Sequence, residues 1–149
     1  MKDNIDICIE MDLRFGLLLR IKLINENGEI EKMGQEDIIQ IQLIQWCNLN
    51  KGKYPMLQDI HHSPNGGKRN VREAAKFKKM GTRAGFPDLF LAYPNKNYAG
   101  LFIELKAPGG KTTDNQDVWI DKLNTRGYYA KVCVGFEEAK NTILEYLNL

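Results

Sequence analysis

The chain has 149 residues and a formal net charge of +2, with 43% hydrophobic and 27% charged residues. This is the balance of one soluble globular domain with a sizeable core. The apolar run at residues 17–24 contains Arg20 and Lys22 and is too short to span a bilayer, so no membrane partner is expected.

The three cysteines, Cys8, Cys47 and Cys133, are odd in number and match no close metal-ligand spacing. We therefore expect reduced thiols in a cytoplasmic protein, with Cys47 and Cys133 packed in the core.

Positive charge is concentrated in residues 66–84. This segment contains seven basic residues and one acidic residue, Glu73, so it carries a net charge of +6 and the rest of the chain carries −4. Such asymmetry favours a basic face that meets a polyanion, although a solvated lysine-rich helix would give the same pattern. The cations are Lys68, Arg69, Arg72, Lys76, Lys78, Lys79 and Arg83.

Residues 1–33 give the weakest pattern. Residues 16–24 favour a strand, and Asn27-Gly28 favours a turn after it. We assign no chemistry to this segment and divide the chain into an N-terminal extension of unknown role, residues 1–33, and one main domain, residues 34–149.

The main domain shows alternating helix and strand patterns. Helices are predicted at residues 35–47, 70–80, 113–127 and 137–147, and strands at residues 56–62, 88–93, 101–106 and 129–135. The two middle strands flank a polar turn and predict a hairpin. This order predicts an α/β domain around a mixed sheet of about four strands.

Residues 101–106 carry the strongest chemical signal. Alternate side chains of a strand share a face, so Leu101, Ile103 and Leu105 point toward a core. Glu104 and Lys106 then point together to the opposite side. A surface ion pair worth well under ~1 kcal/mol would explain these two charges without any function.

A second carboxylate argues against a simple surface pair. Asp88 heads the neighbouring strand, so a hairpin of normal register brings Asp88 and Glu104 together at the strand ends. Two adjacent carboxylates repel each other, and a divalent cation removes that conflict. Mg²⁺ takes one or two carboxylates and leaves the rest of its shell to water and phosphate oxygens. Lys106 would then orient the attacking water or neutralise charge during phosphodiester hydrolysis.

These motifs resemble the PD-(D/E)xK nuclease superfamily, and within it the VRR-NUC family of virus-type replication–repair nucleases. The resemblance covers residues 35–149. Its motifs are Gly85-Phe86-Pro87-Asp88, Ile103-Glu104-Leu105-Lys106, the acidic Glu36 in the first helix, Pro64-Asn65-Gly66-Gly67 followed by Arg69, and a helix led by Gln116.

The resemblance implies a restriction-endonuclease-like fold and a site for Mg²⁺ or Mn²⁺. Asp88, Glu104 and the Leu105 carbonyl would bind the metal, Lys106 would be catalytic, and Glu36 would approach the metal directly or through water. A glutamate in a first helical turn is also favoured by the helix dipole, which leaves the role of Glu36 open.

Gln116 has two interpretations as well. The family implies a role in catalysis, but Gln116 lies three residues after Thr113 and fits a capping box at the start of its helix.

Residues 65–67 lead into a basic segment and form a candidate DNA contact. Glycines let backbone N–H groups approach a phosphate closely, and a following helix N-terminus favours anions. A glycine turn without function is the alternative. The candidate DNA-binding residues are Asn65, Gly66, Gly67, Lys68, Arg69 and Arg72.

We expect a Mg²⁺- or Mn²⁺-dependent DNA endonuclease that acts on branched DNA in repair or recombination. Compact members of the family resemble Holliday-junction resolvases, are typical of bacteriophages and assemble as homodimers, so a homodimer in the host-cell cytoplasm is expected. Two alternatives remain: a catalytically inactive DNA-binding module of the same fold, and a nuclease that acts on RNA.

Overall fold

The computed structural model describes residues 6–12, 18–24, 30–31, 33–64 and 71–148. The chain divides into two compact units, Met1–Ile38 and Ile39–Leu149. In chain order the elements are β1 (Asp6–Asp12), β2 (Leu18–Ile24), β3 (Ile30–Glu31), α1 (Gln35–Asn50), a 3-10 helix (Pro55–Asp59), β4 (Ile60–His62), α2 (Val71–Lys79), β5 (Leu89–Leu91), β6 (Leu101–Lys106), α3 (Asp114–Thr125), β7 (Tyr129–Val134) and α4 (Gly135–Asn148). None of the helices in these described parts of the chain is long and apolar enough to cross a membrane.

The N-terminal unit contains a three-stranded antiparallel sheet in the order β1-β2-β3. The strand predicted at residues 16–24 corresponds to β2. Its long partner β1 was not predicted. The Asn27-Gly28 turn lies outside the described residues.

The second unit is built on a four-stranded sheet in the order β4-β5-β6-β7. β5 pairs antiparallel with both β4 and β6, whereas β6 pairs parallel with β7. A parallel pair needs a long crossover connection, and α3 lies in it. The predicted mixed sheet of four strands flanked by helices is therefore confirmed.

The sheet has two apolar faces, and β6 contributes to both. One face packs with the buried positions of α1 and α4. The other face carries Phe102, which packs with Leu123 of α3 and with Ala130 of β7. The buried side chains packed between this face and the two helices include Leu43, Cys47, Leu101, Ile103, Leu105, Cys133, Ile143 and Tyr146.

The strand predicted at residues 56–62 is wrong in its first half. Pro55 begins a 3-10 helix there, because the fixed φ of proline suits the first turn of a helix, and only Ile60–His62 is extended. The prediction of two buried thiols is confirmed, since Cys47 and Cys133 are both free and buried.

Candidate active site

Glu104 and Lys106 lie inside the protein. β6 lies between β5 and β7, and a buried apolar cluster packs on each of its two faces. Only 1% of Glu104 and 4% of Lys106 are exposed. Lys106 Nζ donates to Glu104 Oε1 at 2.5 Å and to the Leu105 carbonyl at 2.9 Å. The surface ion pair considered for these residues is therefore wrong, because neither charge faces solvent.

Asp88 lies directly before β5. Leu89 pairs with Ile103, and continuing this register by one residue sets Asp88 opposite Glu104. Directly opposite residues of an antiparallel pair share a face. The Asp88 carboxylate accepts a hydrogen bond from the Leu105 backbone N–H at 2.9 Å. One carboxylate from each strand therefore reaches the same end of β6.

The backbone of Leu105 belongs to this site as well. Continuing the register by a second residue sets Pro87 opposite Leu105. A proline has no N–H and cannot donate to the carbonyl of a strand partner. The Leu105 carbonyl accepts from Lys106 Nζ instead, and the Leu105 N–H donates to Asp88.

Gln116 caps the start of α3 and also contacts Glu104. Its Oε1 accepts from the Thr113 backbone N–H at 2.8 Å, which is its half of the capping box at the start of α3. Its Nε2 donates to Glu104 Oε1, the same oxygen that receives Lys106. The start of α3 is thus tied to the buried carboxylate of β6.

The segment between α2 and β5 rests on the start of α3. Gly85 has φ +78°, and a Cβ there would lie 2.6 Å from the backbone carbonyl carbon of Asn115. Trp119 Nε1 donates to the Ala84 carbonyl at 3.2 Å, and its ring packs edge-on against Phe86. This contact is not predicted by the sequence patterns, in which the glycine ahead of Phe86 is the one local signal for it.

The carbonyl of Asp88 is also fixed. The Ser63 backbone N–H donates to it at 2.8 Å, and His62 Nδ1 lies 3.1 Å from the same oxygen. The pairing of β4 with β5 places His62 and Ser63 beside Asp88. They hold the main chain of Asp88 while its carboxylate points to β6.

The remaining predicted site residues lie on α1, on α2 and outside the described residues. Glu36 is exposed in the first turn of α1 and belongs to the N-terminal unit. Arg72 is exposed on α2. Outside the described residues lie five of the candidate DNA-binding residues: Asn65, Gly66, Gly67, Lys68 and Arg69.

A mixed four-stranded sheet with an aspartate ahead of one strand and a Glu-x-Lys on the next is the arrangement that defines the PD-(D/E)xK class. The VRR-NUC domain model matches residues 30–137. The chain belongs to the VRR-NUC family of nuclease domains.

Known proteins agree with this assignment. A solved structure described as a VRR_NUC domain protein has a TM-score of 0.68 and 36% sequence identity, and the alignment covers 80% of this chain and 93% of that one. A Fanconi-associated nuclease 1 homolog from Caenorhabditis briggsae is 38% identical over 63 residues, which make up 42% of this chain. The matched region is only 7% of that relative's length.

Proposed function

We propose that this protein is a Mg²⁺- or Mn²⁺-dependent endonuclease that hydrolyses phosphodiester bonds in DNA, with Asp88, Glu104 and Lys106 as its catalytic centre. The observation that carries this proposal is that the side chains of these three residues meet at one end of β6. Asp88 binds the Leu105 N–H, while Lys106 holds Glu104 and the Leu105 carbonyl.

The donor set fits a small divalent cation. Glu104 Oε1 and the Leu105 carbonyl oxygen both lie within 2.9 Å of one atom, Lys106 Nζ, so a single cation can reach both. Asp88 supplies a second carboxylate beside them. Within the described residues no group of three or more His, Cys, Asp or Glu side chains could hold a metal. Two carboxylates and a carbonyl, with water and phosphate completing the shell, suit Mg²⁺ better than Zn²⁺.

Each residue then has a distinct task. The cation, when bound, supplies Lewis acidity and makes a bound water a stronger nucleophile. Gln116 orients Glu104 through its side-chain amide. Lys106 brings a positive charge to the phosphoryl oxygens, where negative charge develops during hydrolysis. Glu36 is proposed to approach the same cation from the start of α1.

DNA is the proposed substrate, and branched DNA the proposed structure. The VRR-NUC assignment and a relative named as a Fanconi-associated nuclease support a role in DNA repair or recombination. Residues 65–69 together with Arg72 are proposed to contact the DNA backbone. We propose that residues 34–149 form the nuclease domain and that residues 1–33 are an extension to it.

A homodimer is proposed as the active assembly. A Holliday junction must be cut symmetrically on two opposing strands, and a C₂ dimer presents two identical sites across its axis. Light scattering at the salt concentration that supports cleavage tests this point. A monomeric mass there, together with nicks on one strand only, would refute a resolvase-like assembly.

One assay tests the activity. The protein is incubated with a four-way junction, a flap, a duplex, single-stranded DNA and matched RNAs, each with EDTA, Mg²⁺ or Mn²⁺. Cleavage of the branched DNA that needs the metal and is lost in Asp88→Asn and in Glu104→Gln is the expected result. Asp121→Asn, which removes an exposed carboxylate of α3, is the control and should cleave normally. Undiminished cleavage by either site variant would refute the assignment, and cleavage of RNA alone would refute the substrate.

A further inference from the structure

Three of the four basic residues of α2 lie on one side of the helix, and Lys78 lies on another side. A residue of an α-helix is turned by about 100° from its predecessor, so Arg72, Lys76 and Lys79 fall within about 60° of the circumference. All three side chains are exposed. We call these three residues the α2 stripe. Glu73, the acidic residue of this helix, lies about 100° from Arg72 and so outside the stripe.

The stripe has no acidic partner among the described residues. None of its three cations forms an ion pair with an acidic side chain of the described residues. Lysines in the last turn of a helix also stabilise that helix through its dipole, so the charge of Lys76 and Lys79 alone does not prove a binding role. Their shared face with Arg72, in the first turn, is not explained by the dipole.

The C-terminal end of α2 is held close to the start of α3. Gly81, with φ +105°, follows the helix, and the Thr82 N–H donates back to the Phe77 carbonyl at 3.0 Å. The chain then packs on α3 through the contact of Gly85 with Asn115. Asn115 immediately precedes Gln116, which binds Glu104. The stripe is thus carried by a segment fastened beside the candidate site.

The geometry points to the sugar-phosphate backbone of duplex DNA as the partner of the α2 stripe. The stripe extends over about 10 Å of helix axis, and the same length of duplex carries about three phosphates on each strand. Binding of single strands relies on exposed aromatic side chains on which bases stack. The one aromatic residue of α2, Phe77, is half-buried. The stripe therefore binds phosphates without reading bases. This inference rests on the proposed function. It adds that the DNA beside the cleaved bond is double-stranded.

Binding measured without cleavage tests it. Fluorescence anisotropy of a labelled duplex is recorded in EDTA at several salt concentrations. Each of Lys76→Ala and Lys79→Ala should reduce the slope of log affinity against log salt by about 0.9, and the double variant by about twice that. Lys76→Arg and Lys79→Arg should keep the wild-type slope. Lys96→Ala is the control, because it removes an exposed lysine from the turn at the far end of the β5–β6 hairpin.

The outcomes separate this inference from the proposed function. A slope that is unchanged in the double variant, or one that falls equally in Lys96→Ala, would overturn the α2 stripe even if the protein cleaves DNA. Lowered thermal stability with an unchanged slope would reduce Lys76 and Lys79 to a helix-dipole role and also overturn it. The expected slopes in a protein that cleaves no DNA under any metal condition would support the stripe and refute the nuclease.

Discussion

Lys106 Nζ lies 2.5 Å from Glu104 Oε1, and the two side chains are only 5% and 1% exposed. They stand two positions apart on β6 and so share one face. A carboxylate taken out of water is costly unless an opposite charge accompanies it, and the ammonium supplies that charge. Lys106 is therefore the internal counter-cation of Glu104. A divalent cation on the same oxygens would replace it.

The first prediction concerns this replacement. Lys106→Met should lower the free energy of unfolding in EDTA by about 3–5 kcal/mol, because it leaves a buried carboxylate without its cation. Mg²⁺ or Mn²⁺ should then stabilise the variant more than it stabilises the wild type, while cleavage is lost. Thermal unfolding with and without metal measures both effects.

A double variant is the control for this prediction. Glu104→Gln/Lys106→Met carries no buried charge at either position, so it should be more stable in EDTA than Lys106→Met alone. Additive losses in the two single variants would show that the ion pair is not coupled and that Lys106 is not the counter-cation.

Pro87 keeps the Leu105 carbonyl out of the sheet, and this leads to the second prediction. Pro87→Ala supplies the missing N–H, which can donate to that carbonyl and extend β5 by two residues. We expect weaker metal binding, measured by calorimetry, and slower cleavage. Pro108→Ala is the control, since Pro108 is exposed and lies beyond the end of β6. Wild-type metal affinity in Pro87→Ala would show that the carbonyl is not a ligand.

The third prediction separates strain from steric contact at Gly85. Gly85→Ala introduces a Cβ at 2.6 Å from the Asn115 backbone and a side chain at positive φ. Gly127, at the other end of α3, has φ +83° with open space around its Cβ position. Gly127→Ala should therefore cost only the backbone strain, about 1–2 kcal/mol. Gly85→Ala should cost more and slow cleavage, because α3 carries Gln116. Equal losses of stability in the two variants would contradict the contact.

Sequence patterns predict which residues converge at the candidate site, but not the residues that hold them in place. The alternation of β6 and the position of Asp88 ahead of β5 placed two carboxylates and a lysine at one strand end. The role of Pro87 depends on the strand register, and the contact of Gly85 with Asn115 joins residues thirty positions apart, so no local pattern predicts either.

The errors in the predicted fold have local causes. The composition of residues 56–62 favours a strand, but Pro55 starts a 3-10 helix that takes in the first half of the segment. β1 was missed although Ile7, Ile9 and Met11 alternate with more polar residues, which is a strand pattern. The role of Glu36 at the metal stays a prediction.

The fourth prediction separates the two roles of Gln116. Gln116→Glu keeps an oxygen that accepts from the Thr113 N–H, so the capping box of α3 is preserved. In place of the amide that donates a hydrogen bond to Glu104, it puts a negatively charged carboxylate. We expect a helix content like that of the wild type by circular dichroism, but a large loss of cleavage. Gln116→Ala should lose both the capping box of α3 and the hydrogen bond to Glu104, so both helix content and cleavage should fall. Normal cleavage by Gln116→Glu would reduce Gln116 to a helix cap.

The last prediction concerns Cys47, whose pKa is raised by burial from 9.0 to about 11. A folded state that holds the thiol protonated gains stability that is fully present below pH 9. This stability is lost as the pH rises toward 11, because the unfolded chain releases the proton first. In Cys47→Ala this loss is absent, so the stability advantage of the wild type should shrink by about 2 kcal/mol between pH 8.5 and pH 10.5. Urea unfolding of both proteins across that range measures the difference and cancels the contributions of Cys133 and the tyrosines. A difference that stays constant with pH would show that the Cys47 thiolate is not disfavoured in the folded protein.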